Sequence, residues 1–105
     1  MHSEVRKMEK KEKIKNLIHL AIKAGKIKFG EDNYFYLVKK GKVKLVLMDR
    51  KLSERAKDKI KRIAEQNKVK YSFYPGDMQI DIKNKVKLVS VLDVNFARPI
   101  SELLV

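Results

Sequence analysis

The chain has no cysteine and no tryptophan, and only two histidines, two prolines and four glycines among its 105 residues. Without thiols there is no disulfide framework, no thiolate metal site and no cysteine nucleophile. Such a composition suits a reducing compartment, and the expected location is the cytoplasm. His2 and His19 stand 17 positions apart with no carboxylate at ligand spacing, so no metal site is expected. Four glycines are too few for a nucleotide cradle: neither G-x-x-x-x-G-K-[ST] nor G-x-G-x-x-G occurs. No serine sits in a nucleophile-elbow pattern. Long apolar runs are missing as well, so neither a membrane span nor a signal peptide is expected. These absences leave no positive sign of catalysis and no cofactor, and the expectation is a protein that is not an enzyme.

Acids are also scarce. Thirteen Asp and Glu face 26 Lys and Arg, a net charge of +13, while 44% of residues are hydrophobic. That apolar content suits a folded domain rather than a basic tail. The length permits one domain burying roughly 65% of its unfolded surface. The excess charge is uneven: residues 1–75 carry 22 basic and 9 acidic side chains, residues 76–105 four of each. Three clusters stand out: Arg6 to Lys15, then Lys39, Lys40, Lys42 and Lys44, then Lys57, Lys59, Lys61 and Arg62. A polyanion is the natural partner, because each cation near a phosphate releases condensed counterions. Solvated lysine-rich helix faces are the plain alternative.

Periodicity divides the chain. Ile14, Leu17, Ile18, Ala21 and Ile22 form a buried helical stripe that Gly25 ends. Residues 1–12 are so charged that they read either as a solvated helical extension or as a mobile arm, a basic extension to a domain over 13–105. Lys26–Phe29 is a short extended piece, and a second helix runs from Glu31 to Lys40. Val43–Met48 is a buried strand. Ser53 offers an N-cap to a third helix with Ala56, Ile60, Ile63 and Ala64 inward. Val69–Tyr74 and Val86–Leu92 are strands, and the last helix covers Phe96–Leu104, with Pro99 in or just past its first turn. Asp77–Asn84 alternates like a strand, yet a helix suits a strand–helix–strand crossover, and helix is the reading adopted. Strands separated by helices give an α/β fold, a small central sheet covered on both faces.

The informative stretch is Lys26–Gly41, KIKFGEDNYFYLVKKG. Basic residues come first, Gly30 permits close backbone approach, and a helix opens with Glu31, Asp32 and Asn33. Two readings compete. Glu31 or Asp32 simply caps the helix and complements its dipole. Alternatively, carboxylate and amide oxygens accept hydrogen bonds from guanine N–H groups in a distorted RNA groove. Tyr34, Phe35 and Tyr36 either pack on the sheet or, for Tyr36, stack on a base.

The segments AIKAGKIKFGED (21–32), KGKVKLVLMD (40–49), SERAKDKI (53–60) and LVSVLDVNFA (88–97) occur in an order that resembles the bacterial branch of the ribosomal protein L-seven-Ae family, kink-turn RNA-binding proteins. The resemblance covers about residues 12–104. It implies a three-layer α–β–α sandwich with a small mixed central sheet. It also implies non-enzymatic binding of structured RNA, a kink-turn, ribosomal RNA or the ribosome, by a monomer with no membrane association. The family's helix start, Gly-x-Asn-Glu-x-x-Lys, falls on Gly30, Asp32, Asn33 and Tyr36. Here Asp32 replaces the amide, Asn33 the acid and Tyr36 the lysine. Lys26, Lys28, Lys39 and Lys40 would then supply nearby charge beside Glu31, and a second family contact falls on Lys83, Asn84 and Lys85, next to Val86. The rival expectation is a protein-interaction module docking on an acidic partner or on the ribosome without reading RNA. A basic amphipathic first helix lying on a membrane is a third, disfavoured because Ile14, Leu17, Ile18 and Ala21 are needed for the core.

Overall fold

The computed structural model describes residues 2–75 and 86–104, with side chains from Glu9 onward. The first helix, α1 (His2–Lys23), is unbroken. It spans about 33 Å at 1.5 Å per residue. The basic start of the chain is therefore helical rather than an unstructured arm, and Glu9 to Lys13 stand exposed on it. The stripe that anchors α1 is Ile14, Ile18 and Ala21, all essentially without solvent contact. β1 (Ile27–Phe29), α2 (Glu31–Lys39), β2 (Leu45–Met48), α3 (Glu54–Gln66), β3 (Lys70–Phe73), β4 (Leu88–Val91) and α4 (Val94–Leu104) follow.

The four strands form one sheet in the order β1-β4-β2-β3. β4 is antiparallel to both β1 and β2, whereas β2 and β3 are parallel, so the sheet is mixed. Alternation of side chains across it separates two cores. Leu45, Leu47, Val89 and Val91 meet Ile14, Ile18, Ala97 and Ile100 of α1 and α4 on one face. Val46, Met48 and Leu88 meet Tyr34 and Val38 of α2 and Ile60 and Ala64 of α3 on the other. This is the three-layer α–β–α sandwich. β2 and β4, the inner strands, are buried along their whole lengths, which is why their sequences read as continuous apolar runs.

Local chemistry sets the element ends. Ser53 Oγ accepts the Ala56 N–H at 3.1 Å and opens α3. Asp93 Oδ1 accepts the Asn95 N–H at 2.8 Å, and the Asp93 carbonyl accepts the Phe96 and Ala97 N–H groups. α4 therefore starts at Val94, two residues before the periodicity suggests. Pro99 consequently lies inside the helix, in its second turn. The carbonyl it leaves without a donor is that of exposed Asn95, where solvent reaches it. Asp77–Asn84, read as a helix, lies outside the described residues.

Three helices end in the same way. After α1, the N–H of Gly25 bonds to the Ile22 carbonyl and that of Lys26 to Ala21. After α2, the pairs are Gly41 with Val38 and Lys42 with Leu37; after α3, they are Lys68 with Glu65 and Val69 with Ala64. The central residue of each motif is left-handed, with φ of 71° at Gly25 and Gly41 and 57° at Lys68. A side chain in that conformation costs on the order of 1 kcal/mol relative to glycine.

Candidate nucleic-acid interface

Strand directions decide which loops share an end of the sheet. Phe29 pairs with Val89, and Met48 with both Leu88 and Phe73. The end of β1, the end of β2, the end of β3 and the start of β4 therefore lie together, with the starts of α2 and α3. Phe29, Gly30, Glu31, Leu52, Val86 and Lys87 line an open concavity of about 310 Å³ there.

Gly30 is the hinge between β1 and α2. Its N–H donates to the Leu88 carbonyl at 3.0 Å, and its φ of 88° with ψ of 164° is a conformation open to glycine alone. A Cβ at Gly30 would meet nothing within 4 Å, so the requirement is conformational and the surface above it is clear. Gly30 is also the N-cap of α2, and no side chain accepts a hydrogen bond from the helix start. The reading in which Glu31 or Asp32 caps α2 through its carboxylate is thus incorrect. Both are exposed in the first turn, where they complement the helix dipole. Asn33 Nδ2 donates to the Phe29 carbonyl at 2.9 Å. That bond ties the side chain to β1 and leaves Oδ1 as its remaining acceptor.

The aromatic triplet splits three ways. Tyr34 is fully buried and its hydroxyl donates to the Ile60 carbonyl at 2.8 Å, tying α2 to α3. Burial pushes its pKa up to about 12. Phe35 is half-buried with Lys59 Nζ 4.6 Å from its ring centre. Tyr36 is 61% exposed. Lys40 Nζ lies over the ring, 4.1 Å from its centre, and donates to its hydroxyl.

Asp49 holds the second loop of this end. It is buried, its Oδ1 accepts the Lys51 N–H at 2.7 Å, and its own N–H donates to the Lys87 carbonyl at 2.9 Å. Next to it, Arg50, Lys57 and Lys61 gather round Phe73, with cationic centres 5.1, 5.6 and 5.1 Å from its ring centre. Among the described residues the one ion pair in this group is Lys57 with Glu54 at 3.2 Å.

The residues singled out in the sequence do not all meet. Lys28, Gly30, Glu31, Asp32 and Asn33 share the loop end, with Tyr36 further along α2. Lys26 and Lys39 lie toward the opposite end: Lys26 precedes β1, and α2 carries Lys39 about 13 Å away from Gly30, while Lys40 reaches back to Tyr36 with its Nζ. Lys83, Asn84 and Lys85 lie outside the described residues. Arg50 and Lys87 belong to the loop end but follow no motif. The signal for them was topological, since each flanks a strand terminus that pairing brings beside Gly30. Among the described residues no cluster of His, Asp and Glu is arranged to hold a metal ion, and no helix is long and apolar enough to cross a membrane.

The model of the Ribosomal protein L7Ae/L30e/S12e/Gadd45 family matches residues 12–97. The chain belongs to this family. Solved structures agree on the fold, and 42 chains match. One is a protein with unknown function from Bacillus halodurans, similar over 88% of this chain and 96% of that one, with a TM-score of 0.81 and 21% identity. No curated protein sequence matches the chain. The family is one of RNA-binding, ribosomal-protein-like proteins.

Proposed function

We propose that the protein binds structured RNA without catalysing a reaction, and that the loop end of the sheet is the surface that meets it. The observation that carries this reading is the free start of α2: Gly30 clear of neighbours, Asn33 held by β1 with Oδ1 available, and uncapped Glu31 and Asp32 beside it. Acids placed inside a basic surface repel phosphate, so their use is with hydrogen-bond donors, and guanine edges in sheared G·A pairs present those donors. Lys28, Arg50 and Lys87 then face phosphates, and Tyr36 stacks. Asp32 and Asn33 together occupy the amide and acid positions of the family pattern in exchanged order, which keeps two acceptors at the helix start.

In this reading the RNA is a kink-turn, in ribosomal RNA or in another ribonucleoprotein of the cytoplasm, bound by a monomer. Residues 1–12 extend the domain of residues 13–105 with further positive charge.

A gel shift comparing a kink-turn with the same RNA lacking its G·A pairs tests the reading. Replacing both Asp32 and Asn33 by Ala is expected to weaken the kink-turn complex tenfold or more and the control complex little, as for loss of base contacts worth about 1–3 kcal/mol each. Equal losses on both RNAs would reduce these residues to helix-start electrostatics.

A further inference from the structure

The end of the sheet opposite Gly30 carries a second basic site. A groove of about 910 Å³ runs there between β3 and α4, with Lys44, Lys68, Lys70 and Arg98 on its walls and Glu102 as the one acid among its described residues. All four cations are exposed. Its lining is mixed, with Leu45, Val69, Val94, Ala97 and Leu104 beside the cations, and a lysine reaches the floor for a structural reason. Lys70 and Ser72 pair with Leu45 and Leu47 and so point to the α1–α4 face. Leu45 and Leu47 are buried there, whereas Lys70 is exposed because α4 does not extend over the edge strand. Ser101 on α4 faces the same space.

Lys68 supplies the second observation. It is the only non-glycine residue with positive φ among the described residues. It occupies the position that glycine fills after α1 and α2, in a motif with the same two hydrogen bonds. A lysine kept where the fold twice uses glycine trades stability for a charge, and that charge lines the groove.

We propose that this groove binds the phosphate backbone of a second RNA segment, so that the protein joins two RNA strands held at opposite ends of its sheet. Four cations face a single acid in the groove, which favours a polyanion held by charge. The joining of two strands rests on the reading above, whereas occupation of the groove itself does not require the loop end to bind RNA.

The test uses the full chain and a labelled oligouridylate of about twelve nucleotides, within the span of known single-strand sites. Lys68→Gly is expected to raise Tm and yet weaken oligouridylate binding by severalfold. Adding Lys44→Ala, Lys70→Ala and Arg98→Ala is expected to abolish it at moderate salt and to lower the salt slope by about 2 to 3. The fourfold variant is also tested by gel shift on the kink-turn: loss of oligouridylate binding with the kink-turn complex kept assigns the loss to the groove, so failure at the loop end and failure at the groove appear with different RNAs. Unchanged binding by the fourfold variant overturns the proposal, as does polyglutamate binding as tightly as RNA. A Tm lowered by Lys68→Gly would show the lysine to be structural and overturn the argument from it.

Discussion

Tyr34 shows how much one residue of the α2 segment contributes to the fold. Its ring is enclosed between α2, α3 and the sheet, and its hydroxyl closes a bond to the Ile60 carbonyl. The phenol stays protonated up to about pH 12 in the folded chain, whereas an unfolded tyrosine ionises near pH 10. Below pH 10 the contribution is complete. As pH climbs from 10 to 12 the unfolded state gains by ionising, and about 2 to 3 kcal/mol of stability is lost. Tyr71 and Tyr74 are raised in the same direction, Tyr71 by its hydrogen bond to Glu65 and Tyr74 by burial. Tyr34→Phe is expected to cost about 1–2 kcal/mol at pH 7, because the Ile60 carbonyl loses its partner. Urea unfolding at pH 7 and pH 11 should show the variant losing less stability between the two than the parent protein. Ser90 is the contrasting residue: its Oγ is buried on the same face with no hydrogen-bond partner, a polar atom for which the surrounding core offers no physical account.

Among the elements, α3 depends most on its first residue. Its sequence, ERAKDKIKRIAEQ, is largely charged, and only Ile60 and Ala64 are fully buried. Packing alone anchors such a helix weakly, so the Ser53 cap matters. Ser53→Ala is expected to lower stability by about 1 kcal/mol, read as a fall of several degrees in Tm, while Ser53→Asp holds Tm near that of the parent protein. α2 contrasts with α3. Its start carries no side-chain cap, and it is held instead by Tyr34, Val38 and the Asn33–Phe29 bond. Glu31 and Asp32 in its first turn stay exposed all the same.

For the whole molecule, the net charge of +13 is not even: besides the cations along α1, two groups gather at the two ends of the sheet. The loop end gathers Lys28, Arg50, Lys57, Lys61 and Lys87, and the far end Lys26, Lys39, Lys44, Lys68 and Lys70. Repulsion within each group is relieved by a polyanion, so affinity for RNA should be strongly salt-dependent. If one RNA neutralises about six of these charges, log K falls against log salt with a slope of roughly −4 to −5. Filter binding between low and high salt measures it, and a flat dependence would remove the electrostatic part of the reading.

Residue order by itself determined the elements and their inward faces. Ile14, Ile18 and Ala21 recur at helical spacing, Gly25 and Gly41 end helices, Ser53 starts one, and the apolar runs at 45–48 and 88–91 are the inner strands. These are local signals, set by backbone sterics and by hydrogen bonds spanning at most a few residues. The family resemblance lay in the same segments. The composition of the site was less legible. Lys26 and Lys39 are close to Gly30 along the chain, yet the directions of β1 and α2 carry them toward the other end of the sheet. Arg50 and Lys87 are far from Gly30 in sequence, yet the pairing of Met48 with Leu88 and of Phe29 with Val89 brings their loops beside it. The altered role of Glu31 and Asp32, exposed rather than capping, also depended on Gly30 adopting positive φ and taking the cap itself. Strand order and strand direction arise from non-local pairing, which no short window of sequence contains. The tertiary structure alone therefore decided which charges act together.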